Sequence, residues 1–204
     1  MKIISAKALK KLDGATIELE HISSTQLMDR AALAFFHWMM MENSGRFDHL
    51  TILAGPGNNG GDGLVVARLS APYFRTSSLY IVNNSHNFSD DFHKQLQRLP
   101  ETIKAEYILN DEDISKIKLD DTLVIDAIFG YGLNRTVSGF FAKVIDHVNE
   151  ANQTVYSIDV PSGLFIDDIT LQKVLSGLRR LVRLNCQNYP FSLLKIIISL
   201  EIGQ

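Results

Sequence analysis

The residues with the most chemical content in this chain follow apolar segments that have the character of buried strands. Residues 49–54 form one such segment, and the glycine-rich sequence GPGNNGGDG, residues 55–63, follows it directly. A strand, a glycine-rich loop and a helix together aim backbone N–H groups and the positive end of a helix dipole at one point. This arrangement favours the binding of an anion such as a pyrophosphate.

Neither of the common phosphate-binding motifs describes this loop. A P-loop would have Lys-Ser or Lys-Thr after its last glycine, where Asp62 and Gly63 stand, and the G-x-G-x-x-G pattern is weak evidence by itself. A tight glycine turn with Asp62 capping the next helix is the structural alternative. The adjacent amides Asn58 and Asn59 favour a binding loop.

Two later segments repeat the plan of a strand followed by a glycine-containing loop. Residues 121–129 form an apolar strand with Asp126 near its end, and residues 154–160 form another that ends at Asp159, before Pro161-Ser162-Gly163. The carboxyl ends of parallel strands converge on one crevice. We therefore expect Asp126 and Asp159 to lie near Asn58 and Asn59, although a single acid at a strand end is often just a helix cap.

The elements that must position these side chains alternate along the chain. An N-terminal helical region covers residues 5–20 and 24–41, with a possible capping box between Ser23 and Gln26. Strands are predicted near 49–54, 78–82, 105–109, 121–128 and 154–160, and helices near 62–72, 89–99 and 138–151. This alternation predicts an α/β fold with a mostly parallel central sheet that is covered by helices on both faces.

Composition narrows the class of protein. The chain has 204 residues, of which 46% are hydrophobic, so it is long enough for one sizeable core. Its net charge of -3 gives no case for a nucleic-acid or membrane partner. Cys186 is the single cysteine, there is no apolar signal region or membrane-length apolar span, and a cytoplasmic location is expected. The six histidines are scattered without metal-ligand spacing, which argues against zinc.

The three loop sequences together resemble one family. GPGNNGGDG, DAIFGYGLNR and IDVPSG, in this order, are similar to the motifs of the NAD(P)HX epimerases, also called the YjeF N-terminal domain family, and residues 24–31 resemble its N-terminal helix motif. The resemblance covers residues 1–168. It implies a Rossmann-like three-layer αβα sandwich that interconverts the R and S epimers at C6 of hydrated NADH or NADPH (NADHX or NADPHX). This repair reaction serves a stereospecific NAD(P)HX dehydratase, and a homodimer is expected.

The resemblance also implies roles for individual residues. Substrate contacts are expected from Asn58, Asn59, Gly60, Gly61, Asp62, Gly130, Tyr131, Gly132, Leu133, Asn134, Arg135, Thr136 and Asp159. A potassium ion (K+) is expected on Asn59, Asp126 and Ser162, which fits the preference of hard cations for oxygen ligands. Thr136 stands where the family usually has proline.

Epimerisation at C6 passes through a planar intermediate and needs a proton carrier near that carbon. We select Asp126 as the catalytic residue, because it ends an apolar strand beside the expected cation and substrate. Burial would raise the pKa of this carboxyl and a cation would lower it. A role as cation ligand alone is equally open.

Two other classes of function remain open from the sequence. A non-enzymatic protein-binding scaffold, or an inactive fragment, could keep the dinucleotide-binding loops, although a scaffold has no need for a cation site. A nucleotide-binding dehydrogenase domain would place an acidic residue about 20 residues after the glycine loop, where Tyr80-Ile81-Val82-Asn83 stands. The preference between NADHX and NADPHX is not encoded in a recognisable motif.

Residues 169–204 do not resemble the family. A shifted reading of permitted codons for residues 185–195 can yield a family-like strand, so a frame-shifted tail is one hypothesis and a divergent tail is the other. If the frame is shifted, C-terminal strands of the sheet are lost and low stability is expected. An apolar strand or helix over residues 193–202 is possible by pattern alone.

Overall fold

The computed structural model describes residues 6–85 and 87–163, together with the backbone of residues 198–200. Two helices come first, α1 (Ala6–Glu20) and α2 (Ser24–Asn43), as the sequence predicts. The predicted capping box is present at the start of α2: the Gln26 backbone N–H donates to Ser23 Oγ, and the Gln26 side chain accepts from the Ser23 backbone N–H. Both helix-end donors are thereby satisfied.

Strands and helices then alternate. They are β1 (His49–Ala54), α3 (Asn58–Ser70), β2 (Thr76–Val82), α4 (Asp90–Gln97), β3 (Ala105–Ile108), a 3-10 helix (Glu112–Lys116), β4 (Leu123–Ala127), α5 (Phe140–Glu150), β5 (Val155–Ser157) and β6 (Ile198–Leu200). The sheet order is β3-β2-β1-β4-β5-β6, in which the first five strands are parallel and β6 is antiparallel to β5. The prediction of a mostly parallel sheet is confirmed.

The sheet separates two hydrophobic cores. Successive side chains of a strand point to opposite faces, so Leu50 and Ile52 of β1 pack with α2, α3 and α4, whereas Leu53 packs with α5 on the other face. β4 divides in the same way, with Ile125 in the first core and Val124 in the second. This confirms the three-layer αβα architecture.

The start of α3 differs from the prediction. The sequence places the loop at residues 55–63 and the helix from about residue 62, but the helix begins at Asn58. Glycine usually disfavours a helix interior, yet here the absence of a side chain lets the first turns of α3 pack closely on the sheet. Asp62 is therefore a helix residue and not a cap, and Gly57 is the N-cap.

The C-terminal tail lies outside the described residues apart from β6, so the boundary at residue 168 and the frame-shift hypothesis stay predictions. The β6 backbone pairs with β5, with Ser199 opposite Tyr156. It falls within the segment 193–202 that the pattern allows as a strand. None of the helices in residues 6–85 and 87–163 is long and apolar enough to cross a bilayer.

Candidate active site

A cavity of about 680 Å³ lies at the carboxyl edge of the sheet, where β1, β4 and β5 end. In the sheet, β1 lies between β2 and β4, and the chain connections after β1 and β4 run in opposite directions along the sheet. The crevice at such a point is the usual ligand position in an open parallel sheet. The predicted residues that line it are Asn58, Asn59, Asp62, Gly130, Tyr131, Gly132, Leu133, Asn134, Arg135 and Asp159. Gly60, Gly61 and Thr136, and likewise Asp126 and Ser162, are not among the residues that line it.

The N-terminus of α3 opens onto this cavity. Its N-cap, Gly57, provides no side-chain hydrogen bond, and Asn58 and Asn59 of the first turn line the cavity. The first backbone N–H groups of a helix have no acceptor within the helix, and the helix dipole adds positive potential at this end. This end of the cavity can therefore bind a phosphate group.

The glycines of this motif allow close packing of the backbone. A Cβ atom on Gly60 would overlap the carbonyl of Gly55, and one on Gly55 would overlap the carbonyl of Ile128. A Cβ on Gly63 would lie 2.7 Å from the Cβ of Ala127. None of these three glycines has a positive φ angle, so close approach of the backbone is the reason for glycine here.

Asp126 is buried at the end of β4, behind the cavity wall. Its Oδ2 accepts hydrogen bonds from Ser157 Oγ at 3.1 Å and from the Ser162 N–H at 2.8 Å, and its Oδ1 accepts from Ser162 Oγ at 2.5 Å and the Ile128 N–H at 3.2 Å. Burial raises the pKa of Asp126, and the hydrogen bonds from Ser162, Ile128 and Ser157 oppose that rise. A positive charge nearby would favour the ionised form further.

Asp159 is the acid at the end of β5 and it lines the cavity. Its Oδ2 accepts a hydrogen bond from the Tyr131 backbone N–H at 2.7 Å, and its own backbone is left-handed with φ 71°. A left-handed conformation is uncommon outside glycine and is concentrated at functional sites. A Cβ on Gly130 would lie 2.5 Å from Asp159 Oδ2, so Gly130 is required for the loop to pass this carboxylate.

The three residues predicted to hold potassium are connected through the loop after β4. Ser162 Oγ accepts a hydrogen bond from the Phe129 N–H at 2.9 Å and donates one to Asp126. Gly130, which follows Phe129 in the chain, packs against the Asn59 amide. Asn59 is buried, and neither its Oδ1 nor its Nδ2 has a hydrogen-bond partner among the described residues. Buried polar atoms usually have a partner, and a bound ion or water would satisfy this amide oxygen. The oxygen donors present therefore fit a hard cation.

Several residues that line the cavity are absent from the predicted set. Lys10 and Asp13 come from α1, Met28 comes from α2, and Asp91 comes from the start of α4. Asp91 also accepts hydrogen bonds from Ser24 Oγ at 2.8 Å and Thr25 Oγ1 at 3.2 Å, which join α4 to α2. Met28 lies in the helix motif of residues 24–31, but no motif marks Lys10, Asp13 or Asp91, whose approach depends on how the helices pack. Among residues 6–85 and 87–163, no group of three His, Cys, Asp or Glu side chains is arranged for a metal ion.

Comparison with solved structures supports the architecture. A crystal structure of the yeast protein described as ynu0, YNL200c, superposes with a TM-score of 0.66 over 80% of this chain and 72% of that chain, at 23% sequence identity. At this level of identity the similarity is evidence for the fold alone.

Comparison of sequences identifies the family. The NAD(P)H-hydrate epimerase of Lentilactobacillus buchneri is 38% identical over 79% of this chain and 73% of its own length, and that of Oenococcus oeni is 33% identical over 81% and 76%. The model of the YjeF-related protein N-terminus matches residues 24–177, which include all three loop motifs. With this match over most of its length, the chain belongs to the family of YjeF-related protein N-termini.

Proposed function

We propose that this protein is an NAD(P)H-hydrate epimerase, which interconverts the R and S epimers at C6 of hydrated NADH and NADPH. The observation that carries the proposal is that the N-terminus of α3 and the carboxylate of Asp159 line the same cavity. The helix end can bind the pyrophosphate, and the acid can contact a reacting group further along the dinucleotide. The relatives named NAD(P)H-hydrate epimerase support the same activity.

The two buried carboxylates have different positions, which suggests different roles. Asp159 lines the cavity, so it can exchange a proton with a bound substrate directly. Asp126, our predicted catalytic residue, lies behind the wall and accepts two hydrogen bonds from Ser162. Its position supports the alternative role of cation ligand, and we propose that Asp159 carries the proton.

Asn59, Asp126 and Ser162 would hold the potassium ion. The hydrogen-bonded pair of Asp126 and Ser162 supports this assignment, as does the buried amide of Asn59, which has no hydrogen-bond partner in the part of the chain that the structure describes. When bound, the ion supplies positive charge that favours the ionised form of Asp126. The residues themselves connect the start of α3, the end of β4 and the loop after β5, so they fix the cavity wall in place.

The dehydrogenase alternative receives no support from the end of β2. A ribose-binding acid is expected there, but Asn83 follows the strand, and its side chain is used internally: its Nδ2 donates to the Asn87 carbonyl and its Oδ1 accepts from the Ser85 N–H. The scaffold alternative is disfavoured by the buried amide of Asn59, which has no hydrogen-bond partner within residues 6–85 and 87–163. A homodimer, a cytoplasmic location and coupling to an NAD(P)HX dehydratase are further parts of the proposal.

A direct assay tests the activity. Purified protein is mixed with a single epimer of NADHX or NADPHX in potassium buffer, and the two epimers are separated by chromatography over time. We expect both epimers to approach equilibrium faster than in buffer alone, whichever epimer is supplied. Equal rates with and without protein, for a sample shown to be folded, would refute the proposed function.

A further inference from the structure

Helix α1 forms one wall of the cavity. The α1 residues that line it are Leu9, Lys10, Leu12, Asp13, Gly14 and Ile17. These residues lie before residue 24, where the match to the family model begins. The family motifs therefore assign no role to this wall.

A hydrogen bond fastens this wall to the loop after β4. Tyr131 Oη donates to Asp13 Oδ2 at 2.9 Å, between residues that are 118 positions apart. The backbone N–H of the same tyrosine donates to Asp159 Oδ2. Tyr131 thus connects two carboxylates that both line the cavity. Burial and the charge of Asp13 raise the pKa of Tyr131 far above its usual value, so its hydroxyl stays protonated and remains a donor.

Asp13 has capacity for a further donor. Among the described residues, its bond to Tyr131 is its only hydrogen bond, and no Lys, Arg or His forms an ion pair with it. A carboxylate has about four lone-pair sites. In a cavity for a dinucleotide, this oxygen would repel phosphates, whereas ribose hydroxyls are neutral donors that carboxylates accept in other dinucleotide sites.

We infer that α1 supplies a second substrate-binding carboxylate: Asp13, held in place by Tyr131, accepts hydrogen bonds from a ribose of the bound dinucleotide. The inference rests on the proposed function for the identity of the ligand. The Tyr131 hydroxyl donates to Asp13 and its backbone N–H donates to Asp159, so this one residue holds α1 against the loop after β4. Tyr131 is a positioning residue in this scheme, and Asp13 is the residue that contacts the ligand.

Binding of NADH, measured by calorimetry without turnover, tests the role of Asp13. Asp13→Ala should raise the Kd for NADH about tenfold, as expected for loss of a charge-assisted hydrogen bond. Glu18→Ala is the matched control, because Glu18 is an exposed acid on the same helix that does not line the cavity. A Kd for Asp13→Ala within about twofold of this control would overturn the inference.

Inorganic pyrophosphate separates sugar recognition from general damage to the site. It has no ribose, so Asp13→Ala should bind it at least as tightly as the wild type does. An equal weakening of pyrophosphate and NADH would overturn the ribose assignment. These measurements do not require epimerisation, so a protein that binds NADH in this way but fails the epimer assay would contradict the proposed function and leave Asp13 supported.

Hydrogen exchange in the unliganded protein tests the role of Tyr131. Tyr131→Phe should speed amide exchange in residues 6–20 and raise the Kd for NADH by less than Asp13→Ala does. The double variant should bind about as weakly as Asp13→Ala, because the two residues act through one contact. Tyr73→Phe, at an exposed tyrosine away from the cavity, is the control. Exchange in α1 equal to that control would overturn the positioning role.

Discussion

Ser162 donates two hydrogen bonds to Asp126, one from its hydroxyl and one from its backbone N–H. Its Oγ lies 2.5 Å from Oδ1 and its backbone N lies 2.8 Å from Oδ2. The two residues are 36 positions apart, so this pairing joins the loop after β5 to the end of β4. The buried Asp126 carboxylate accepts hydrogen bonds at both oxygens, but no Lys, Arg or His among the described residues forms an ion pair with it. Its charge is the feature that a bound ion would balance.

Potassium should therefore stabilise the folded protein. A ligand that binds only the native state raises stability by mass action, so the Tm should be higher in potassium than in lithium at equal ionic strength. Because protons compete with the cation for Asp126, whose pKa is raised by burial, the difference should grow as the pH rises through that pKa. Thermal unfolding scans at several pH values measure it. Identical Tm values in both salts would contradict the proposed potassium site.

Substitution of the two carboxylates should separate their roles. Asp126→Asn should abolish the extra stability in potassium and, with it, most epimerisation. Asp159→Asn should lower kcat by about 100-fold, in the range for loss of a general acid or base, while the potassium effect on Tm persists. Near-normal turnover in Asp126→Asn would show that it is neither a proton carrier nor an essential cation ligand. A normal kcat in Asp159→Asn would exclude it as the proton carrier.

Gly130→Ala should damage the site more than the fold. The added Cβ would lie 2.5 Å from Asp159 Oδ2 and 3.3 Å from Asn59 Oδ1, so both side chains would have to move. Gly132→Ala is the matched comparison, since no atom lies within 4 Å of the added Cβ there. We expect epimerisation to fall clearly further in Gly130→Ala than in Gly132→Ala, with similar unfolding curves. Equal rates in the two variants would contradict the contact.

Gly60→Ala should instead destabilise the fold. Its Cβ would overlap the Gly55 carbonyl, a backbone atom that cannot rotate away. Relieving the overlap would shift β1 against α3, at a cost typical of severe core overpacking, on the order of 3 kcal/mol. Gly57→Ala, with open space around its Cβ, is the control. The yield of folded protein and the urea midpoint give the readout, and a midpoint equal to the control would refute the packing argument.

Asp91 should stabilise the protein in a pH-dependent way. Burial acts to raise its pKa, but hydrogen bonds from Ser24 and Thr25 and the nearby Lys94 lower it overall below the ordinary value of 3.8. A lowered pKa in the folded state contributes stability above pH 3.8 that is lost as the pH falls through the folded pKa. The difference in unfolding free energy between wild type and Asp91→Asn, from urea titrations, should therefore shrink towards pH 3.

The control for this pH effect is Asp90→Asn. Asp90 is the exposed neighbour of Asp91 and, in the described part of the chain, forms no side-chain hydrogen bond or ion pair with α2. Its effect on stability should change little between neutral and acidic pH. A difference for Asp91→Asn that stays constant across this range would show that its hydrogen bonds with α2 do not depend on ionisation.

The layered architecture could be predicted because local pattern and global fold agree. β1 is mostly aliphatic, and its predicted range, 49–54, equals the observed one. The predicted strands after residue 120 were longer than the observed ones, since residues such as Ile158 and Val160 are buried but lie beyond the ladder. Hydrophobicity reports burial, whereas strand limits depend on which backbone groups find a partner.

The start of α3 and the α1 wall could not be predicted for different reasons. Intrinsic propensity places Gly60 and Gly61 outside a helix. Close packing favours glycine there, because a Cβ on Gly60 would overlap Gly55 and a Cβ on Gly61 would lie 2.9 Å from the Met28 side chain. The contact between Asp13 and Tyr131 joins positions far apart in sequence, and an isolated acid on a helix carries no periodic signal. By contrast, Asn59, Asp126 and Asp159 could be proposed together because each follows or ends a strand of one parallel sheet.

The parallel sheet also leaves one end of the molecule available for engineering. The turns between α2 and β1, α3 and β2, and α5 and β5 lie at the amino ends of their strands, while the cavity lies at the carboxyl ends. Asn152 in the last of these turns is exposed and has φ 52°, a conformation that glycine adopts readily. A fluorophore or a peptide tag joined there through a glycine linker would therefore be separated from the cavity by the full length of the strands.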